Sequence, residues 1–243
     1  GNEAVARGAI AAGLRFFAGY PITPSSEVME TLIEELPAVG GRVVQAEDEI
    51  SALGMVLGAS FGGVPAMTAT SGPGLSLMTE MMGLSSMAEI PAVIVDCQRA
   101  GPATGMPSRT EQSDLYHAIY GGHADFPRAV LGVFDTVHAR DVMHKAFHLA
   151  ECYQLPVLVL SDAYVAQRRQ IRDPAVDPVE APRLGAGRRH RPVRRDRRPR
   201  RGGLPHPRHG GGHLHGGRHR AHRRGDADLR HRHPSRDEHE ALP

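Results

Sequence analysis

Three acids in a row, Glu47, Asp48 and Glu49, stand where a short apolar run, Val43-Val44, gives way to a segment with apolar and small residues at helical spacing: Ile50, Leu53, Gly54, Leu57 and Gly58. In an open parallel sheet, such a strand-to-helix junction lies at the carboxyl edge, where ligands bind. A carboxylate placed there can reach a ligand while the sheet holds it still. The competing reading is that acids in a first helical turn only complement the helix macrodipole. Other polar residues fall at equivalent junctions. Thr23 sits between Pro21 and Pro24, in a loop stiff enough to fix a hydroxyl. Ser71-Gly72-Pro73-Gly74 follows the apolar run Val64–Thr70. Gln98, Arg99 and Thr104 follow the run Pro91–Cys97, and Ser161-Asp162 ends the run Leu155–Leu160. A guanidinium after an apolar strand suits an anionic partner, above all a carboxylate taken bidentately.

Each of these residues also has a structural reading. Thr23 can be a turn residue, Arg99 can pair with an acid such as Glu47, and Ser71–Gly74 can be a helix entry turn. His117 and His123 read as structural or surface residues. Neither a Walker loop nor a G-x-G-x-x-G pattern is present, which speaks against a complete nucleotide site.

The elements that would position these residues alternate regularly. Helices are expected over 3–14, from Glu27 to about Leu36, after Glu49, from about Leu75 to Ala88, over 112–120 and over 136–153. Strands are expected over 15–20, 42–46, 64–70, 91–97, 128–134 and 155–160. Ser25 or Ser26 is the candidate cap of the second helix, and Asp135 or Thr136 that of the last. Six strands separated by helices predict an α/β fold, a doubly wound and mostly parallel six-stranded sheet, because parallel neighbours need crossover connections. This domain reaches about residue 170 and is large enough to bury a core without metals or disulfides. Cys97 and Cys152 are the two cysteines, with no metal-ligand spacing, so a reducing, cytoplasmic setting is expected. No apolar run is long enough to span a bilayer, so no membrane partner is expected. The chain begins at Gly1, already inside a helical pattern, which reads as a piece of a longer polypeptide.

The net charge of +2 conceals a division. Residues 1–187 carry 12 basic and 21 acidic side chains, whereas residues 188–243 carry 17 basic and 6 acidic. Residues 171–187, rich in Pro and Asp, read as an extended linker. The Arg/His/Gly/Pro-rich tail over 188–243 has almost no apolar periodicity and is expected to be disordered. It reads as a nucleic-acid-binding arm, as a His-rich metal-binding tract, or as a coding region translated in the wrong frame. Arg189–Asp196 can be encoded CGC CAC CGG CCC GTT CGT CGC GAC; dropping the first base yields Ala-Thr-Gly-Pro-Phe-Val-Ala. The 28 arginines against the single lysine, Lys145, fit a GC-rich source. The frameshift is the preferred reading, and on it no nucleic-acid partner is expected.

Several motifs, in order, carry a resemblance: Gly1-Asn-Glu-Ala with Gly19-Tyr-Pro-Ile-Thr-Pro-Ser-Ser26, then Gln45-Ala-Glu-Asp-Glu-Ile-Ser-Ala52, Thr68-Ala-Thr-Ser-Gly-Pro-Gly74 and Thr110-Glu-Gln-Ser-Asp114. Over about residues 1–170 the chain resembles the alpha subunit of 2-oxoacid:ferredoxin oxidoreductases, nearest the 2-oxoglutarate type (2-oxoglutarate synthase). The resemblance implies the pyrimidine-binding domain of the thiamine diphosphate fold. It implies that Glu49 hydrogen-bonds the aminopyrimidine ring nitrogen and favours the imino tautomer, that Thr23 and Arg99 hold the oxo and carboxylate groups of the substrate, and that Ser71, Gly72, Pro73 and Gly74 lie beside the pyrimidine. Thiamine diphosphate would be shared with a beta subunit that brings the magnesium ion and an iron–sulfur cluster; two cysteines are too few to hold a cluster here. The implied reaction is oxidative decarboxylation of a 2-oxoacid with coenzyme A to acyl-CoA, carbon dioxide and reduced ferredoxin. 2-Oxoglutarate is the expected substrate, with pyruvate and branched-chain oxoacids left open. The alternatives are a thiamine-dependent decarboxylase that does not use ferredoxin and a basic nucleic-acid-binding protein acting through the tail.

Overall fold

The computed structural model describes residues 1–171. The tail, and all of the linker after Ile171, lie outside the described residues, as do the expectations of disorder and of a shifted reading frame.

Six strands form one sheet: β1 (Phe16–Gly19), β2 (Arg42–Gln45), β3 (Ala66–Thr70), β4 (Ala92–Gln98), β5 (Ala129–Gly132) and β6 (Pro156–Asp162). Their order is β2-β1-β3-β4-β6-β5. Every pairing is parallel, so the sheet is all-parallel. Helices α1 (Asn2–Ala11), α2 (Ser26–Glu35), α3 (Glu49–Phe61), α4 (Gly72–Met87), α5 (Leu115–Tyr120), α6 (Thr136–Tyr153) and α7 (Ala163–Gln167) make the crossovers and flanks.

Two cores result, one on each face. Val93, Val95 and Cys97 of β4 point into the first, against Val5 and Ala9 of α1, Val28 and Leu32 of α2 and Met143 and Phe147 of α6. Ala92 and Ile94 point into the second, against Leu53 and Val56 of α3, Leu75, Met78 and Met82 of α4 and Ala118 of α5. With both faces covered, β4 is buried at every position, which is why its sequence is almost continuously apolar. Each fully buried Leu, Met or Phe side chain here contributes about 1.5–3 kcal/mol.

The chain leaves β1 for β2 on one side of the sheet and later returns to β3 on the other. The carboxyl ends of β1 and β3 therefore flank a topological switch point, where α/β sheets bind ligands.

Several boundaries differ from the sequence expectations. Helix α4 begins at Gly72 rather than near Leu75, because Pro73 falls in its first turn, where a missing N–H costs nothing. Helix α5 begins at Leu115, since Gln112 and Asp114 are engaged by tertiary bonds to Asp162 and Gln98. Strand β6 runs through Ser161 and Asp162, and Asp162 then caps α7, an unexpected helix, by accepting from Val165 N at 2.7 Å. Ser25 occupies the N-cap position of α2, but its hydroxyl donates to the Ile22 carbonyl at 2.9 Å instead of capping. Asp135 caps α6, accepting from Val137 and His138 N–H. Strand β2 is a half-buried edge strand.

Helices α1 and α6 approach closely where Gly8 faces the Arg140 backbone; a Cβ on Gly8 would stand 2.8 Å from the Arg140 carbonyl oxygen and 2.9 Å from its Cα. Gly8→Val is therefore expected to destabilise the domain by about 1–3 kcal/mol through overpacking. Urea unfolding, read as a lower midpoint at unchanged slope, checks this.

Candidate functional site

The β2–α3 junction divides the work of its three acids. Asp48 takes the N-cap position of α3, and its carboxylate accepts from Ser51 N at 2.7 Å. Glu47 is exposed. Glu49, the first helical residue, turns inward and is 5% exposed. Among the described residues, its side chain makes no hydrogen bond or ion pair. The reading in which these acids only complement the macrodipole is satisfied by Asp48 and leaves Glu49 uncommitted.

Glu49 lies against the first turn of α4. A Cβ built on Gly74 would stand 2.6 Å from Glu49 Cγ and 2.7 Å from Glu49 Oε1, and would collide with Thr70 Oγ1. No residue larger than glycine fits there, and the acid, Thr70 and the Gly72–Gly74 turn form one unit. Ser71, the N-cap of α4, is fully buried with a hydroxyl that has no partner. It does not cap its own helix.

Arg99 and Thr23 meet, though not as expected. Arg99 Nη1 donates to the Thr23 carbonyl at 2.6 Å and Nη2 to the Thr104 carbonyl at 2.7 Å. The Thr23 side chain itself is exposed. Arg99 is 5% exposed, and its Nε is buried without an acceptor. Arg99 makes no ion pair among the described residues, so the Glu47 pairing is not made. A buried cation held by carbonyls alone is costly until an anion joins it.

The supports for this pair come from distant segments. Asn2, 2% exposed, donates to the Pro24 carbonyl at 2.6 Å and to Glu27 at 2.9 Å, and accepts from Cys97 Sγ at 3.5 Å. It ties the start of α1 to the Thr23 loop. The 99–111 segment folds back on itself, with Met106 N donating to Ala100 O, Ala100 N to Arg109 O and Gly101 N to Glu111. Gly105, at φ +61°, has no room for a Cβ beside the Ala100 carbonyl. Beneath the site, Gln98 bridges the Ser161 carbonyl and Asp114 N. His117 bonds Thr79, joining α5 to α4, and His123 is exposed. Both fit the structural or surface roles expected of them.

Comparison with known proteins decides what this arrangement belongs to. Residues 7–227 match the family model described as "Pyruvate flavodoxin/ferredoxin oxidoreductase, thiamine diP-bdg". The chain belongs to this family. Among its relatives, 2-oxoglutarate synthase subunit KorA of Methanothermobacter marburgensis is 54% identical over 170 residues, covering 70% of this chain and 45% of that protein. The subunit of the same name from Methanocaldococcus jannaschii is 49% identical over 170 residues, covering 70% and 46%. The 2-oxoacid:ferredoxin oxidoreductase 1 alpha subunit of Sulfurisphaera tokodaii is 46% identical over 178 residues, covering 68% and 28%. A solved structure, 2-oxoglutarate:ferredoxin oxidoreductase from Magnetococcus marinus with 2-oxoglutarate, coenzyme A and succinyl-CoA bound, is similar at TM-score 0.67 and 53% identity, covering 68% of this chain and 29% of that one. The chain thus spans about half the length of the KorA relatives it matches.

The glycine-rich turn and Glu49 were legible in sequence, whereas Asn2 was missed as a support of the Thr23 loop. Among the described residues, no group of His, Cys, Asp and Glu could hold a metal ion, and no helix is long and apolar enough to cross a membrane.

Two outcomes follow from the packing. Asp48→Ala removes the α3 cap and is expected to cost about 1 kcal/mol, seen as a lower denaturant midpoint. Gly74→Ala forces Glu49 and Thr70 aside; the melting temperature should fall despite the better helix propensity of alanine, by about 1–3 kcal/mol of stability.

Proposed function

We propose that this chain is the alpha subunit, or a piece of it, of a thiamine diphosphate-dependent 2-oxoacid:ferredoxin oxidoreductase, and that it supplies the pyrimidine-binding half of the active site. The observation that carries the reading is Glu49: a buried carboxylate with no protein partner, at the carboxyl edge of a parallel sheet, facing a turn with no side chain in the way.

The residues present fit a flat heteroaromatic ring. Glu49 would hold the proton shared with a ring nitrogen of the aminopyrimidine. Gly72, Pro73 and Gly74 would border the ring, with Gly74 making room for Glu49 and Thr70, and the unpartnered Ser71 hydroxyl lies at the same turn. When bound, thiamine diphosphate would supply the carbanion stabilisation that decarboxylation of a 2-oxoacid needs. Arg99, lacking a counter-ion, would take the substrate carboxylate, and the Thr23 loop would present a hydroxyl to the oxo group. The diphosphate, its magnesium ion and the iron–sulfur cluster would sit on a beta subunit. Helices α3 and α4 carry exposed Ile50, Met55, Phe61, Leu77, Leu84 and Met87, apolar surface suited to cover by such a subunit.

The reaction assigned is oxidative decarboxylation of a 2-oxoacid with coenzyme A, giving acyl-CoA, carbon dioxide and reduced ferredoxin. The names of the KorA relatives and the ligands of the Magnetococcus marinus enzyme favour 2-oxoglutarate. They also favour ferredoxin over a decarboxylase that does not use it.

In a reconstituted alpha–beta pair, Glu49→Gln should leave assembly intact and lower turnover by roughly 10²–10⁴-fold, the range for loss of a positioned acid–base group. The assay is 2-oxoglutarate-dependent viologen reduction. Turnover equal to wild type would remove Glu49 from the chemistry.

A further inference from the structure

Asn2 opens α1 and is almost fully buried, yet both polar atoms of its side chain are engaged. Its Nδ2 donates to the Pro24 carbonyl at 2.6 Å and to Glu27 Oε2 at 2.9 Å, and its Oδ1 accepts from Cys97 Sγ at 3.5 Å. The three partners belong to separate segments: the Thr23 loop, the first turn of α2 and the end of β4. A carboxamide offers two donors and an acceptor together, which a carboxylate or a hydroxyl does not.

Two of those partners adjoin the residues assigned to the substrate. The Pro24 carbonyl follows the Thr23 carbonyl, which accepts from Arg99 Nη1 at 2.6 Å. Cys97 precedes Arg99 by two residues, the spacing that puts side chains on one face of a strand. A closed ring of contacts results. It runs from Asn2 to Pro24, back one residue to Thr23, across to Arg99 and along the chain to Cys97, which returns to Asn2. Burial pushes the Cys97 thiol up, so it stays protonated and serves as a donor. A thiol is a weak donor, so the strength of the ring lies in the bonds from Asn2 Nδ2 and Arg99 Nη1 to consecutive loop carbonyls.

We infer that Asn2 is a positioning residue for the 2-oxoacid: by holding the Pro24 carbonyl it fixes the Thr23 loop where the Thr23 hydroxyl and the Arg99 guanidinium serve the same substrate. The inference rests on the assignment of Thr23 and Arg99 to the substrate made above. At 2% exposed, Asn2 meets no ligand itself and acts through the loop. Without it the loop keeps its bond from Arg99 and the turn closed by Ser25 N on the Ile22 carbonyl at 2.8 Å. The Pro24 carbonyl, however, loses the donor it has in a buried place, and the loop must move to regain one. Because Arg99 commits Nη1 to the adjacent Thr23 carbonyl, a shifted loop either draws the guanidinium along or releases it. Both spoil the geometry in which a carboxylate is taken bidentately.

Asn2→Asp keeps the shape of the side chain, removes both donated bonds and sets a second carboxylate against Glu27. Adding Glu27→Gln returns a donor to that contact but none to the Pro24 carbonyl, so the double variant restores the link to α2 and leaves the loop untied. In the reconstituted alpha–beta complex, the double variant should raise the KM for 2-oxoglutarate by roughly tenfold or more, with the KM for coenzyme A unchanged; a misplacement of about 1 Å can cost up to about 10²-fold. A wild-type KM for 2-oxoglutarate, whatever kcat does, or an equal rise in both KM values, would overturn the role of Asn2. Amide hydrogen exchange on the chain alone reads the tie without turnover. The Ser25 and Val28 amides, bonded to the Ile22 and Ser25 carbonyls, should exchange about tenfold faster in the double variant, while those of Val93–Val95 in β4 keep the wild-type rate. Unchanged exchange at Ser25 and Val28, or an equal rise in β4, would overturn it as well. A wild-type complex that turns over no 2-oxoacid would sink the functional reading alone, leaving the exchange rates to decide the tie.

Discussion

The space at position 74 is the constraint on which the site depends. Thr70 closes β3, Glu49 opens α3 and Gly74 completes the first turn of α4, and the three occupy a volume that admits no further carbon atom. Three separate connections of the chain are thereby held in one register at the carboxyl edge. The sheet supplies the rigidity behind it: β3 pairs with β4, and β4 with β6 over its whole length, both within the buried centre of the sheet. A carboxylate held this way retains little freedom to lose on meeting a ligand, which is the advantage of building a site on strands and helix ends rather than on free loops.

Beside that unit sits a second, built around a buried guanidinium. Arg99 donates to two backbone carbonyls, one from the Thr23 loop and one from its own segment, and its Nε is left without an acceptor. Both units are paid for by the apolar cores beneath them. Leu53, Leu75 and Met78 lie under the acid, and Val28, Leu32 and Phe17 form the other face. In the polar tier between core and site, Thr68, Asp96 and Asp114 carry buried oxygens without a hydrogen-bond partner. Proteins keep such groups where position matters more than stability.

Much of this was legible in order. Alternating strand and helix patterns marked all six strands, and the strand-end rule picked out Thr23, Glu49, Ser71–Gly74 and Arg99 as residues of one edge. The errors have local physical causes. Pro73 and two glycines read as a turn ahead of the helix, yet proline is at ease in a first helical turn and Gly74 was demanded by a neighbour 25 residues away in sequence. Ser25 looked like a cap because of its type, but its hydroxyl donates to the Ile22 carbonyl instead. Gln112–Asp114 read as helix because their pattern is helical, while bonds to Asp162 and Gln98 hold them out of it.

The amino-acid order by itself determined the periodicity of each element, the parallel α/β class and the family motifs, because these depend on neighbours a few positions apart. Which of three adjacent acids caps the helix and which turns inward was decided only by the folded chain. So was the partner of Arg99, a carbonyl rather than a hydroxyl or an acid. Each of these is a question of direction and distance between segments far apart in the chain, and side-chain direction is set by packing, which no local pattern contains.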